Sequence, residues 1–307
     1  MVTKQIVDYK NFGKCLEISD GITKALVTVD FGPRIIFYGF IGGENVMNDT
    51  VYGVKPRECG KAFDDFYYTG AYWDIYGGHR LWFSPESMPE CYYPDNDPVA
   101  YEETENGAIF TPKPQTENGV AYVITVEYDG TRLKVDHKIE NIGEIEKEFA
   151  CWALSVSALG GTEIIPFNQK ASGLLHNRQI SIWPYTDLRD ERIYLGHKWA
   201  TIKQTDSKTN LKLGFNNNEG YVYYVVGGTT FKIECIPDTN ETYPDNNVNF
   251  ETYSCKDFTE VEMLSPLKNT KPGEFLQLTE RWSLYKTPGT FDRKDDDSIS
   301  EFVSKIK

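Results

Sequence analysis

Alternating apolar and polar positions recur along the chain and predict β-strands. The alternation is clear at residues 26–29, 34–38, 121–128, 221–226 and 275–284. A period of two places successive side chains on opposite faces of a sheet. Polar, turn-forming segments separate these runs, and helical patterns are rare between them. An all-β fold, an antiparallel sandwich or barrel of many strands, is therefore favoured over parallel βαβ architectures.

One β-hairpin is defined by local signals. Val123–Val126 and Leu133–Asp136 flank Asp129-Gly130, a dipeptide that accepts the positive φ of a tight turn. His137 follows the second strand in register with its apolar residues, on the side that faces the core. We therefore expect His137 to be a buried structural histidine rather than a catalytic one.

Helical periodicity is convincing only at the end of the chain, where it predicts a short helix over about residues 298–307. Ser298 and Glu301 have the spacing of a capping box. The apolar residues that follow have i, i+3, i+4, i+7 spacing, which predicts that the helix docks on the strands; they are Ile299, Phe302, Val303 and Ile306.

Composition indicates a folded protein without affinity for polyanions. The 307 residues are 40% hydrophobic and 14% aromatic, enough apolar surface for one large domain spanning residues 1–307. The formal net charge of −14 disfavours nucleic acid and anionic lipid as partners. Residues 1–12 lack the apolar core of a signal peptide, and no apolar run has the length of a membrane span. We expect a cytoplasmic protein.

Residue types that bind metals are present without a metal-binding pattern. The six cysteines have no CxxC spacing, and the four histidines form no HExxH motif. No phosphate-binding loop or GxSxG nucleophile elbow occurs. The sequence predicts free thiols, no metal and no cofactor, which leaves carboxylate and imidazole chemistry in an aromatic cleft.

The first candidate site is residues 72–86, a segment dense in aromatic and polar side chains. Gly77-Gly78 lets the backbone bend or approach a ligand closely, and His79 and Arg80 follow at once. This pattern favours a binding loop. The alternative is an aromatic edge of the sandwich in which His79 is merely hydrogen-bonded.

The second candidate is residues 258–266. If they form a strand, Glu260 and Glu262 share a face with apolar neighbours. A carboxylate on such a surface has a raised pKa and can act as a general base. The alternative is an edge strand whose glutamates face water.

The aromatic content suggests a carbohydrate ligand. Six tryptophans and 20 tyrosines are available, and aromatic rings stack on the apolar C–H faces of sugars. Trp82, Trp183 and Tyr185 are the residues that we would place in such a cleft. Large aromatic side chains also serve in protein cores, which is the alternative for each of them.

Several motifs together resemble a branch of the galactose mutarotase-like (aldose 1-epimerase) superfamily. The resemblance spans about residues 20–286 and implies a β-supersandwich of two large antiparallel sheets. The motifs are Gly77-Gly78-His79-Arg80-Leu81-Trp82, Pro85-Glu86, Ile182-Trp183-Pro184-Tyr185-Thr186-Asp187, Tyr243-Pro244-Asp245, Glu260-Val261-Glu262-Met263-Leu264-Ser265-Pro266-Leu267 and Pro272-Gly273-Glu274.

The resemblance also implies catalytic roles. In aldose 1-epimerases a strand glutamate before a Pro-Gly-Glu turn takes the proton of the anomeric hydroxyl, and a histidine protonates the ring oxygen. Glu262, ten residues before Pro272, matches that glutamate. Typical mutarotases carry the acid histidine in a His-x-Tyr-Phe stretch, where this chain has Trp152 within residues 149–154 and no histidine. His79 is then the expected acid.

Two functional hypotheses follow. The first is a cofactor-independent aldose 1-epimerase (mutarotase)-like isomerase, with Glu262 as base and His79 as acid. The second is a non-catalytic carbohydrate-binding protein with the same fold. The first hypothesis predicts that Glu262, His79 and Arg80 meet at one concave site, because acid and base must reach the same sugar ring. The residues expected to orient the ligand are Arg80, Glu86, Trp183, Lys212 and Lys232, of which the two lysines are chosen only for their place in or beside strands. The second hypothesis keeps the cleft and its aromatic residues without turnover.

Overall fold

The computed structural model describes residues 1–306, and β-strands dominate it. In chain order the strands are β1 (Thr3–Asp8), β2 (Lys14–Ser19), β3 (Thr23–Thr28), β4 (Ile35–Phe40), β5 (Glu58–Cys59), β6 (Tyr72–Trp73), β7 (Gly78–Ser84), β8 (Ala100–Glu103), β9 (Gly107–Thr111), β10 (Val120–Asp129), β11 (Arg132–Asn141), β12 (Lys147–Ser157), β13 (Thr162–Pro166), β14 (Ile180–Ile182), β15 (Ile193–Leu195), β16 (Trp199–Lys203), β17 (Leu211–Phe215), β18 (Tyr221–Val226), β19 (Thr229–Glu234), β20 (Phe250–Ser254), β21 (Thr259–Leu264), β22 (Lys268–Thr270) and β23 (Phe275–Lys286). The helical segments are α1 (Lys61–Phe66), a 3₁₀ turn (Glu90–Tyr92), α2 (Pro244–Asn247) and α3 (Asp296–Ser304).

Two large antiparallel sheets contain nearly all of these strands, as the resemblance implied. The first sheet has the order β1-β2-β3-β4-β7-β12-β21-β20-β17-β14, with β22 also paired to β12. The second sheet has the order β15-β16-β13-β18-β19-β23-β11-β10-β9-β8. Strands β5 and β6 form a separate two-stranded ribbon. The predicted all-β fold of two large antiparallel sheets is confirmed.

The main hydrophobic core lies between the two sheets and is built from alternate residues of each strand. In β10 and β11 buried and partly exposed positions alternate strictly, as a period of two predicts. Strand β21 is buried at every position, which indicates that the first sheet is covered on its outer face as well. A smaller cluster that includes Phe63, Trp73 and Cys91 provides this outer cover.

The predicted hairpin is present. Strands β10 and β11 pair in register up to Asp129 and Arg132, and Gly130 in the turn has a φ of 65°, a conformation that favours glycine. His137 is fully buried, and its Nδ1 lies 2.9 Å from the carbonyl oxygen of Leu278. The prediction that His137 is buried is confirmed.

The predicted C-terminal helix is present as α3, with a different cap. Asp295, not Ser298, is the N-cap: its carboxylate accepts hydrogen bonds from the backbone N–H groups of Asp297 and Ser298. Ser298 Oγ instead accepts a hydrogen bond from the N–H of Asp292 at 2.9 Å. The helix therefore begins earlier than predicted, and the last residue of the predicted range lies outside the described residues.

The apolar stripe of α3 docks on the second sheet. Ile299 and Phe302 are buried in a cluster with Ile164, Trp199 and Tyr223, which confirms the predicted docking. None of the helices within residues 1–306 has the length and apolar character required to cross a membrane.

We expect Phe302→Ala to lower the free energy of unfolding by about 3 kcal/mol, because the substitution removes a buried aromatic ring and leaves a cavity. Urea denaturation followed by tryptophan fluorescence measures the change. Glu301→Ala, on the exposed side of the same helix, is the matched control and should leave the midpoint almost unchanged. Equal midpoints for the wild type and Phe302→Ala would contradict the docking.

Candidate functional site

Three neighbouring strands of the first sheet place functional side chains on its outer face. In β12, Trp152 lies opposite Trp82 of β7, and Leu154 lies opposite Arg80 of β7 and Glu262 of β21. Residues two apart on a strand share a face. The outer face therefore combines aromatic rings with charged groups; its members are Arg80, Trp82, Trp152, Leu154, Glu260 and Glu262.

This face forms the floor of a cleft. Its volume is about 450 Å³, and it continues into a neighbouring depression of about 390 Å³. The two share Glu86, Tyr92, Trp152 and Lys212 in their walls. Both volumes lie within the range of small-molecule binding sites.

Lys212 of β17 is the central cation of the cleft. Its Nζ lies 2.8 Å from Glu251 Oε2 and 3.2 Å from Glu262 Oε2. Trp152 Nε1 donates a hydrogen bond to the same Glu262 oxygen at 2.9 Å. The Nζ atom also lies 4.5 Å from the ring centroid of Trp152 and 4.8 Å from that of Trp183. One ammonium group thus joins two carboxylates and two indoles.

The ionisation of this cluster is set by burial and by its internal pairing. Burial raises the pKa of Glu262 to about 7, while the Lys212 ammonium acts in the opposite direction. Burial also raises the pKa of Glu251 well above its ordinary value. For Lys212, burial lowers the pKa, but the attraction of Glu262 and Glu251 outweighs it and raises the pKa overall. Lys212 is therefore a permanent cation at neutral pH.

Two carboxylate oxygens in the cluster are left without a hydrogen-bond partner among residues 1–306. They are Oε1 of Glu251 and Oε1 of Glu262, and both are buried. A buried acceptor without a partner is costly. Glu251 lines the cleft, so its oxygen is the better placed of the two to accept a hydrogen bond from a bound molecule, whereas Glu262 lies beneath Lys212.

A second ion pair lies on the same face. Arg80 Nη1 is 2.8 Å from Glu260 Oε1, and both side chains are largely buried. The Arg80 guanidinium lies 4.2 Å from the ring centroid of Trp82 and 5.5 Å from that of Trp73. At the rim, the Tyr92 hydroxyl donates to Glu86 Oε1 at 2.6 Å. The cleft thus presents charged groups backed by aromatic rings.

Most of the predicted site residues meet in this cleft. Arg80, Glu86, Trp183 and Lys212 line its walls, and Glu262 lies directly beneath Lys212. Glu260 and Glu262 belong to a strand between β12 and β20. The alternative of an exposed edge strand is therefore wrong.

His79 is the first exception. The structure places its side chain on the inner face of the first sheet, fully buried, because it alternates with Arg80 along β7. Its Nε2 lies 2.7 Å from His137 Nε2, and its ring centroid lies 4.9 Å from that of Trp282 in the second sheet. The expectation that His79 shares a concave site with Glu262 is corrected, since the sheet separates the two side chains.

Lys232 is the second exception. It belongs to β19 of the second sheet, where its Nζ is 2.9 Å from Glu234 Oε1 and 5.1 Å from the ring centroid of Tyr221. This surface is remote from the cleft strands. The expectation that Lys232 belongs to the binding site is therefore corrected. The sequence indicated that Lys232 lies in or beside a strand, but not to which sheet or face that strand belongs.

The paired glycines of the predicted binding loop serve the protein's own packing. Gly77 and Gly78 have φ values of 93° and 63°. A Cβ atom on Gly77 would lie 2.2 Å from the carbonyl oxygen of Asn48, and one on Gly78 would lie 2.4 Å from that of Ile35. The backbone therefore approaches the segment at Asn48 and strand β4 here rather than a ligand.

Sequence reasoning missed Glu251 and the role of Trp152. Glu251 lies directly opposite Glu262 in the neighbouring strand. The sequence did contain a signal for Glu251, because it is a charged residue within residues 250–253, whose other members favour β-strands. Trp152 replaces the histidine expected at this position, and its indole holds Glu262 by a hydrogen bond.

Solved structures share this fold. No protein-family model and no curated protein matches the chain. A TPR-domain containing protein from Parabacteroides distasonis ATCC 8503 is similar with a TM-score of 0.59 and 14% identity, covering 90% of this chain and 48% of that chain. This chain therefore spans about half the length of the Parabacteroides protein.

Two further similar structures are named for mutarotase or epimerase relationships. A proposed aldose 1-epimerase from Klebsiella pneumoniae subsp. pneumoniae MGH 78578 has a TM-score of 0.55 and 12% identity, covering 99% of this chain and 86% of that chain. A galactose mutarotase-like protein from Lactobacillus casei ATCC 334 has a TM-score of 0.53 and 9% identity, covering 88% of this chain and 100% of that chain. The chain has the galactose mutarotase-like fold.

We expect the stability of the wild type, relative to Glu262→Gln, to fall as the pH rises from about 4.5 to about 7. The pKa of Glu262 is raised from 4.5 to about 7 in the fold, so in this window the carboxyl group is neutral when folded and ionised when unfolded. Unfolding then releases a proton, with a limiting slope of about 1.4 kcal/mol per pH unit.

Urea denaturation at pH 5, 6, 7 and 8 measures this difference. Glu102→Gln, at an exposed position of β8, is the control and should keep the wild-type profile. A constant stability difference between wild type and Glu262→Gln across the series would show that Glu262 keeps an ordinary pKa.

Proposed function

We propose that the cleft binds a carbohydrate, and that the sugar is neutral or carries an amino group. The observation that carries this proposal is the convergence of Lys212, Glu251 and Glu262 with the indoles of Trp152 and Trp183 in one cleft. Aromatic faces pack on the C–H surfaces of a sugar ring. Paired charged groups donate to and accept from its hydroxyls.

The charge of the cleft supports the choice of sugar. Its walls contain five carboxylates and three cations; the carboxylates are Glu58, Glu86, Asp245, Glu251 and Glu260, and the cations are Lys55, Arg80 and Lys212. Each cation is already paired with a carboxylate, at 3.4, 2.8 and 2.8 Å respectively. A sugar phosphate or sugar acid would find repulsion and no free cation.

The similar solved structures add support from the fold. Two of them are named as a galactose mutarotase-like protein and a proposed aldose 1-epimerase, and these names refer to sugar substrates. Their sequence identities of 9% and 12% restrict the likeness to architecture. The side chains of the cleft therefore carry the argument for the ligand.

Binding can be tested by saturation-transfer NMR and tryptophan fluorescence with five probes: glucose, galactose, glucosamine, glucose 6-phosphate and glucuronate. We expect glucose, galactose or glucosamine to bind, and the two anionic sugars to bind at least about tenfold more weakly, a difference of about 1.4 kcal/mol. Absence of binding by all neutral and amino sugars would contradict the proposal. Tighter binding of the phosphate would contradict the charge argument.

Lys212→Met and Lys232→Met form a matched pair of variants. Both lysines belong to strands and pair with glutamates, but only Lys212 lines the cleft. We expect Lys212→Met to weaken sugar binding about tenfold or more, because it removes a charged donor and leaves two carboxylates facing each other. Lys232→Met should bind like the wild type. Circular dichroism verifies that both variants are folded.

A second candidate function, aldose 1-epimerase-like catalysis, is favoured by the contact between Lys212 and Glu262. The anomeric hydroxyl oxygen and the ring oxygen of a sugar are bonded to the same carbon, so the groups that exchange protons with them must be close together. Glu262, with its pKa raised to about 7, has the property of a general base near neutral pH. Lys212 Nζ, 3.2 Å away, stays protonated and is the neighbouring hydrogen-bond donor, which would stabilise the negative charge that develops on the ring oxygen.

Catalysis separates from binding in the variant Glu262→Gln. If Glu262 is the base, the amide cannot accept the proton, and we expect anomer exchange to fall by about 10²–10⁴-fold while sugar affinity changes little. Exchange-transfer NMR of a freshly dissolved pure anomer measures the rate. If the wild-type protein exchanges the anomers no faster than buffer does, the catalytic function is contradicted and only the carbohydrate-binding function remains.

A further inference from the structure

A cluster of metal-ligating side chains lies between the two sheets, separate from the cleft. It consists of His79 on β7, His137 on β11 and Glu280 on β23, all fully buried. One candidate ligand atom from each residue lies within 4.8 Å of the other two. The three residues come from distant parts of the chain, so their convergence arises only in the folded sandwich.

Each of these side chains is oriented by an outer hydrogen bond. His137 Nδ1 lies 2.9 Å from the carbonyl oxygen of Leu278, and because a carbonyl only accepts, this nitrogen carries the proton. His79 Nδ1 lies 2.8 Å from Ser155 Oγ. Metal-binding histidines are held in this way, with one ring nitrogen bonded outward and the other directed to the metal.

Glu280 shows the same division between its two oxygens. Trp282 Nε1 donates to Oε2 at 2.7 Å, whereas Oε1 is buried and has no hydrogen-bond partner in the described chain. Desolvation of a carboxylate oxygen without a partner is strongly unfavourable. A cation bound between the sheets would remove this cost.

We propose that His79 Nε2, His137 Nε2 and Glu280 Oε1 form a binding site for a divalent transition metal of the Zn²⁺ class. Two imidazoles and one carboxylate are a common ligand set for zinc, and the fourth position of a tetrahedron can be filled by water. The metal would link β7 of the first sheet to β11 and β23 of the second. Its role is structural, because the cleft lies on the other face of β7.

Metal and proton compete for the two imidazoles. In the structure the Nε2 atoms of His79 and His137 are 2.7 Å apart, a distance that corresponds to a hydrogen bond with one proton between them. Zinc–nitrogen bonds of about 2.0–2.1 Å in a tetrahedron would separate the two atoms to roughly 3.3 Å. Each neutral imidazole keeps one proton, so on binding the proton leaves His79 Nε2 and His79 Nδ1 becomes the protonated nitrogen, which then donates to Ser155 Oγ.

The test uses the full chain, because the site is enclosed. The protein is unfolded in denaturant with chelator and refolded with Co²⁺, with Zn²⁺ or without metal. We expect one ion per chain by elemental analysis, the visible d–d absorption of four-coordinate Co²⁺, and a higher thermal midpoint with metal. The proposal would be overturned if the refolded wild type contains no Co²⁺ or Zn²⁺ and has the same thermal midpoint with metal as with chelator.

Glu280→Gln is the diagnostic variant. The amide is nearly isosteric and its oxygen can still accept from Trp282, but the carboxylate ligand is lost. We expect metal affinity to fall by about 100-fold or more, whereas His197→Asn, at an exposed position, should bind like the wild type. If Glu280→Gln does not fold, His79→Asn gives the same test. Unchanged Co²⁺ absorption in the folded variant would overturn the assignment of the ligands.

Discussion

The structure depends on the alternation of side chains across three strands that are covered on both faces. Because β7, β12 and β21 are central and buried, each residue belongs either to the core between the sheets or to the cleft outside. A shift of one residue would exchange the two sets. The neighbours His79 and Arg80 show the consequence, since one bonds to His137 inside and the other pairs with Glu260 outside.

The outer face combines charges that would be unfavourable singly. Lys212 is almost fully buried between Glu251 and Glu262, and removal from water costs each charge several kcal/mol. The cluster compensates by mutual attraction and by the hydrogen bond from Trp152. Trp152 thus has two roles: its indole N–H donates a hydrogen bond to Glu262, and its ring lies against the Lys212 ammonium. A buried ion pair by itself is therefore weak evidence for overall stability.

Much of the fold followed from local patterns, whereas the site followed from them only in part. Alternation and turn chemistry predicted the hairpin at Gly130, and helical spacing predicted α3. Arg80, which belongs to a motif of the resemblance, lies in the cleft, and so does Lys212, which was chosen only for its place in or beside a strand. Alternation along one strand does not reveal which face is inside, so His79 was assigned to the wrong side. Glu251 was missed because its partners, Lys212 and Glu262, are adjacent only across the sheet.

The shared strand β7 determines how substitutions at His79 must be interpreted. Removing its imidazole leaves Ser155 Oγ and His137 Nε2 without their hydrogen-bond partner in the core, at a cost of about 1–3 kcal/mol for each buried polar group. We expect the resulting repacking to disturb β7, whose next residue, Arg80, faces the cleft. A loss of sugar binding or turnover in a His79 variant would therefore reflect altered positioning rather than a lost proton donor. Variants of Lys212, which lines the cleft, and of Glu262, which contacts Lys212 from below, are better placed to separate chemistry from packing.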